Sequence, residues 1–297
     1  MKCDLCPRKC LVDRKKGEKG ICGQTENLKV ARAALHFWEE PCISGDAGSG
    51  AVFFSGCPLH CVFCQNENIA NGTVGKEISL KRLVDIFLEL QEKRANNINL
   101  VTPGHFVPQI VKALDQARRE GLTLPVVYNT SSYETVDTIR MLDGYVDIYL
   151  PDFKYMSPVL SKKYSHAPDY AQVAKAAIAE MVRQTGKAVF VNGEEDNLIL
   201  SGTIVRHLTL PGCMADSMQI LKYLHETYGD MIYISIMNQF TPLSNLEKYP
   251  ELNRRITDEE YETLVDYAIN IGIENGFVQE GDTAEESFIP AFDCEGV

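Results

Sequence analysis

Three cysteines, Cys57, Cys61 and Cys64, stand at C-x3-C-x2-C spacing in the run Ser55-Gly56-Cys57-Pro58-Leu59-His60-Cys61-Val62-Phe63-Cys64-Gln65-Asn66. Thiolates are soft ligands, and spacers this short gather them around one iron–sulfur cube. A closed [4Fe–4S] centre takes four cysteines, so three leave one iron without a protein ligand. An open iron can bind and polarise a small molecule, which separates a catalytic centre from a sealed electron carrier. The competing reading is a zinc knot completed by His60 or Cys42. The run lacks the paired C-x2-C units of common zinc motifs and follows a strand-like segment, and both features favour the cluster.

A second group, Cys3, Cys6, Cys10 and Cys22, has the spacing C-x2-C-x3-C-x11-C, with Pro7, Gly20 and Gly23 available for tight turns. Four thiolates satisfy either tetrahedral zinc or a fully ligated iron–sulfur cluster, so this site is expected to be closed and noncatalytic. It would relay electrons, grip substrate or hold the head against the rest of the chain. Free thiols in a loose head are the alternative, disfavoured because clustered unprotected thiols oxidise readily. Between head and body, the stretch from Leu35 to Cys42 carries aromatics expected to pack, with Cys42 as a buried thiol.

The elements that must position these residues follow from patterning. The 297 residues are 45% hydrophobic, enough for one large α/β domain. Twenty-nine basic against 41 acidic residues give a net charge of −12, which argues against nucleic acid or an anionic membrane as partner. No run approaches the roughly 18 apolar residues of a membrane span, so a cytoplasmic location is expected. Ten cysteines are too sparse for a disulfide scaffold. Apolar, β-rich runs at 51–55, 98–101, 125–129, 146–152, 203–210 and 231–237 alternate with helical patterns, the signature of βαβ units. Helices are expected after Ser79, from Pro108 to near Gly121, over 216–228 and over 258–271. A mostly helical stretch over 157–185 is interrupted around Pro168, and 189–200 reads as a hairpin-like insertion turning near Gly193 and Glu194. The expected architecture is a partial (β/α)6 TIM-like barrel over 49–297 with a cysteine-rich extension over 1–48. Reactive groups should gather at the carboxyl ends of its strands.

The cysteine run, with Phe63 just before its third cysteine, resembles the motif of the radical S-adenosylmethionine superfamily. The surrounding residues resemble its pyruvate formate-lyase activating enzyme-like branch, in particular relatives with a cysteine-rich head. The resemblance implies a [4Fe–4S] cluster on Cys57, Cys61 and Cys64 whose open iron chelates the amino and carboxylate groups of S-adenosylmethionine. Reductive cleavage then yields a 5′-deoxyadenosyl radical that abstracts hydrogen from a substrate, for example a glycyl residue of a partner protein. It also implies a low-potential electron donor such as flavodoxin or ferredoxin.

Carried over by position, Thr102, Gly104 and His105 stand where relatives have a Gly-Gly-Glu element touching the methionyl amino group, an element this sequence lacks. Asp152-Phe153-Lys154 resembles the relatives' Asp-Leu-Lys and, with Asn129 and Ser131, implies polar strand ends that contact the methionyl group or support the substrate side of the pocket. Asp152 and Lys154 share a strand face, as a cofactor-holding pair or a structural ion pair. Arg206 would present its fork of donors to a carboxylate ahead of the Pro211-Gly212 turn. Asn238 and Gln239 would contact adenine or ribose. A small-molecule or peptide substrate, a noncatalytic iron–sulfur carrier and a zinc-stabilised interaction module are the competing functions.

Overall fold

The computed structural model describes residues 2–193, 197–242, 246–279, 290 and 292–297. Its strands are β1 (Leu28–His36), β2 (Ser49–Phe54), β3 (Lys76–Ile78), β4 (Ile98–Val101), β5 (Val126–Thr130), β6 (Ile148–Pro151), β7 (Val189–Phe190), β8 (Ile199–Leu208), β9 (Tyr233–Met237) and β10 (Gly276–Val278). They form one sheet in the order β10-β9-β8-β6-β5-β4-β2-β1-β3, with β7 paired to β8 off this path. From β2 to β10 neighbours run parallel, while β1 pairs antiparallel with both β2 and β3. Parallel strands covered on both faces should be apolar throughout. Accordingly β2, β4, β5, β6 and β9 are buried at every residue.

The helices lie where local chemistry starts and stops them. Ser79 caps helix Leu80–Glu92 by accepting from the Arg82 N–H, and Leu83, Val84, Phe87 and Leu90 of that helix enter the core. Helix Val107–Arg119 has Pro108 in its first turn, where the missing N–H is harmless. Thr257 and Glu260 close a capping box on helix Asp258–Asn270. The stretch broken near Pro168 is two helices, Pro158–Ser165 and Tyr170–Thr185. Among the described residues no helix is long and apolar enough to cross a membrane.

All six expected strands are present with ends shifted by a few residues, and the α/β partial-barrel architecture holds. The hairpin-like insertion is β7 returning antiparallel along β8; Glu194 lies outside the described residues. One expectation changes. The sheet begins at Leu28, inside the segment 1–48 expected to be extension, because β1 pairs along its length with β2. Its sequence, Leu-Lys-Val-Ala-Arg-Ala-Ala-Leu-His, alternates too weakly to announce a strand. The short β3 and β10 are likewise defined by their pairing partners rather than by their own residues.

The remaining head, residues 2–27, runs against the loop that follows β2. Gly56, at φ +91°, lies so close that a Cβ there would sit 2.4 Å from the Cys22 carbonyl oxygen. Neither the backbone sign nor the space admits a side chain. Gly56→Ala should therefore destabilise the fold by about 2 kcal/mol, seen as a lower urea midpoint at unchanged slope. An unchanged midpoint would show that the head does not press on this loop.

Candidate functional site

The loop after β2 has no regular structure of its own and is fixed by its neighbours. The Ser55 N–H donates to the Lys29 carbonyl and the Gly56 N–H to that of Ile69, while Val62 N–H donates to Tyr164 O at 2.9 Å. Leu59 and Phe63 are buried, and the Phe63 ring meets Phe240, Tyr155 and Tyr164 with centroids 5.9, 6.4 and 6.5 Å away. With these two apolar side chains pinned, Cys57, Cys61 and Cys64 line one cavity at the carboxyl ends of the strands.

The thiols are held in a dry setting. Burial pushes the Cys57 thiol up to about 11 and that of Cys64 up to about 12, and raises Cys61 as well. The positive charge of Lys154 works against this at all three. Ser165 donates its hydroxyl to Cys61 Sγ at 3.1 Å, and Tyr155 Oη lies 2.8 Å behind Ser165 Oγ. Thiols so desolvated stay protonated until a metal takes the place of the proton.

Of the candidates for a fourth zinc ligand, His60 lines the same cavity but turns its Nε2 to the Ile21 carbonyl at 2.7 Å. Cys42 is buried in helix Pro41–Ser44 within a separate apolar cluster. Among the described residues no fourth cysteine lines the cavity. Nor do any three His, Cys, Asp or Glu side chains among them converge closely enough to hold a single ion; a four-iron cube keeps its thiolates farther apart than one ion does.

Beside the thiols lies a largely buried charge network. Asp152 accepts from Arg206 Nε at 3.0 Å through one oxygen and from Lys154 Nζ at 2.6 Å through the other. Arg206 donates onward to Glu39 at 2.9 Å and to Asn129 Oδ1 at 2.6 Å. The other Glu39 oxygen accepts from Asn99 at 3.0 Å and from Asn129 at 3.1 Å. Burial opposes the charge on Asp152, but Lys154 and Arg206 outweigh it and hold the carboxyl below its ordinary range. Burial would likewise lower Lys154, and Asp152 overrides it, so the ammonium is held above its ordinary value. Tyr170 ties the strand ends together, its hydroxyl meeting Ser131 O, Asp152 O and the Lys154 N–H at 2.9, 3.0 and 2.9 Å.

Of the residues expected in the pocket, Phe63, Thr102, Asn129, Ser131, Asp152, Lys154, Arg206 and Gln239 line it together with the three cysteines. Thr102 holds a left-handed φ of +55°, an uncommon state for a β-branched residue. Three expected residues do not line it. Gly104 faces Glu134, whose carboxylate would lie 2.6 Å from an added Cβ. His105 is buried with Nε2 2.7 Å from Ser55 O, its ring against Phe106 at 4.3 Å. Asn238 turns its backbone N–H to Gln279. Arg206 commits three of its five N–H donors to Asp152, Glu39 and Asn129. Lys154 makes one side-chain bond among the described residues, to Asp152, and keeps two ammonium hydrogens. Sequence reasoning missed Glu39, whose only signal was an acidic pair in an aromatic linker, and also Ser165 and Tyr170, which sit on helices far from any motif.

Comparison with known proteins gives three findings. The profile of the Radical SAM superfamily matches residues 51–199. An uncharacterized protein of Methanocaldococcus jannaschii is 28% identical over 278 residues, covering 90% of this chain and 74% of that protein. Among solved structures, Streptococcus suis SuiB bound to S-adenosylmethionine superposes with a TM-score of 0.51 at 13% identity, over 76% of this chain and 48% of SuiB. HydG, a maturase of the [FeFe]-hydrogenase, gives 0.51 at 14% identity over 78% and 52%. The chain spans about half the length of each, and the likeness to both is one of fold.

Two buried histidines make the fold sensitive to acid. Burial lowers His105 to about 3 and His207 to about 4; His207 bonds Phe153 O and Ser217 Oγ at 2.8 Å each. Below the unfolded value of about 6.5, the unfolded chain takes up protons the folded chain refuses, so stability falls as pH drops. Each imidazole should cost about 2 kcal/mol at pH 5 relative to pH 7. In urea unfolding, His207→Asn should lose about that much of the drop; an undiminished drop would mean that His207 titrates as an exposed group.

Proposed function

We propose that this chain, which belongs to the radical S-adenosylmethionine superfamily, is an enzyme that ligates a [4Fe–4S] cluster through Cys57, Cys61 and Cys64 and abstracts hydrogen from a polypeptide substrate. The superfamily's cofactors are a [4Fe–4S] cluster and S-adenosylmethionine. When bound, they supply an electron and a 5′-deoxyadenosyl radical. The observation that carries the reading is three partly buried thiols lining one cavity, while His60 Nε2 is bonded to the Ile21 carbonyl and Cys42 lies in a separate cluster, so the donor set fits a cluster with one iron left open.

The chain's own residues do the rest. Lys154, kept charged by Asp152, offers two unspent hydrogens to a carboxylate beside the thiols. Arg206 and Glu39 fix Asp152, and through it the direction of the ammonium. Ser165 donates to the Cys61 sulfur and so favours the more negative, reduced form of a cluster held there. Gln239, whose carbonyl accepts from Gln65 at 2.8 Å, holds the cysteine loop to the end of β9.

The substrate reading rests on the rim. Trp38 lines the cavity yet is 60% exposed, and neighbouring Phe37 is 49% exposed. Exposed aromatics at a pocket mouth suit a polypeptide segment, and the glycine-bearing loop of a partner protein fits the activating-enzyme-like branch. The electron donor is of the flavodoxin or ferredoxin class. Residues 1–23 carry seven Lys or Arg against three Asp or Glu in a chain of net charge −12, so an acidic donor would be steered to the head beside the cysteine loop.

Two measurements test this. Anaerobically reconstituted, reduced protein should release 5′-deoxyadenosine from S-adenosylmethionine, and Cys61→Ala should release none; S-adenosylmethionine left intact by a fully reduced cluster would sink the reading. Ser165→Ala should lower the cluster's reduction potential by about 40 mV, the one-electron equivalent of a ~1 kcal/mol hydrogen bond. A titration unchanged from wild type would remove Ser165 from any part in setting that potential.

A further inference from the structure

The head is ordered without the means to order itself. Across residues 2–27 its regular structure is one turn of 3-10 helix, Arg14–Lys16, and only Arg14, Cys22 and Gln24 are buried. A segment with so small a core does not recover its chain entropy by apolar burial, and chains of this kind fold around disulfides or metals. Disulfides are absent here: all four head cysteines are free.

The backbone wraps around the sulfurs. Cys3 and its neighbours close a small ladder, Cys3 N–H to Val12 O at 2.9 Å and Leu11 N–H to Cys3 O at 3.0 Å. Cys6 begins a turn closed by the Lys9 N–H at 3.0 Å, and Gly20 begins another closed by the Gly23 N–H at 2.9 Å. The Ile21 N–H donates to Cys10 Sγ at 3.2 Å. Lys9 and Leu11, on either side of Cys10, both hold left-handed backbone, φ +41° and +56°, which persists in such residues only where something else fixes them. The Cys6 thiol lies within electrostatic reach of Cys22, Cys10 and Cys3, and the Cys22 thiol within reach of Cys3 and Cys10. All four sulfurs thus share one neighbourhood.

We propose that Cys3, Cys6, Cys10 and Cys22 ligate a second metal centre, closed by four thiolates, which folds the head and through it braces the loop of Cys57, Cys61 and Cys64. Ligation forms four metal–sulfur bonds and releases the thiol protons to solvent. The ligand is an iron–sulfur cluster with no open iron, because no three of these thiols converge closely enough to hold a single ion. The brace is Arg8, two residues after Cys6. Its guanidinium donates to Pro58 O at 2.9 Å, Ser165 O at 2.9 Å and His166 O at 2.6 Å, and lies 5.1 Å above the Tyr133 ring. The contact between His60 and Ile21 adds a second tie from the same loop.

The inference stands apart from the function proposed above, because the full chain can be tested with Cys57, Cys61 and Cys64 all changed to alanine. After anaerobic reconstitution, that variant should retain about four iron with matching sulfide. Zinc without sulfide, or no iron at stoichiometry, would overturn the proposal. Adding Cys6→Ser and Cys10→Ser should abolish what remains. If the triple variant fails to fold, wild-type protein decides the matter: it should hold about twice the iron of one cube, and a single cube alone would overturn the proposal. In the otherwise wild-type chain, Cys6→Ser should also speed tryptic cleavage after Lys15, Lys16 or Lys19 at least tenfold, and an unchanged rate would likewise count against it.

Discussion

Arg206 is a permanently charged group placed under the mouth of a partial barrel, and the architecture around it follows from the need to neutralise it. An isolated guanidinium at such depth would be ruinous. Here Asp152 comes from the end of β6, Asn129 from β5, and Glu39 from the linker after β1, so four separate segments meet at one cation. Each brings a second bond that commits it further, Asp152 to Lys154 and Glu39 to Asn99. The network holds the strand ends in register and leaves one ammonium with hydrogens to spare. Removing a single partner would strand a charge rather than merely delete a contact.

The cavity divides by chemistry. At one end, desolvation keeps three thiols neutral and available to a metal. Alongside, charges compensate one another so fully that Asp152 and Lys154 remain ionised despite burial. The two halves meet where the field of Lys154 reaches the sulfurs and where Ser165 gives a hydrogen bond to Cys61. An electron-rich sulfur site is therefore flanked by a fixed positive charge and an oriented hydroxyl, both positioned before any ligand arrives.

Much of this was legible in the chain because it is local. The spacing of Cys57, Cys61 and Cys64 constrains where three sulfurs can go whatever surrounds them. Ser79, Pro108, Thr257 and Glu260 set helix ends through bonds to residues a few positions away. Fully buried parallel strands such as β4 must be apolar at every residue, so they announce themselves. By contrast, β1 is a strand because β2 lies beside it, and its run of alanines carries no period of its own.

The sequence by itself determined the α/β class, the order of six parallel strands along the chain, and which loop carries the three thiols. It also gave the identity of most polar residues at the strand ends, because periodicity, capping and ligand spacing are short-range. Only the tertiary structure decided how those residues divide their work. Arg206 is met by Glu39 from a linker 167 positions away, His105 turns back to Ser55, and Ser165 comes from a helix with no motif to reach Cys61. Hydrogen-bond donors and buried charges are satisfied by whatever the fold brings near, and no local pattern records that choice.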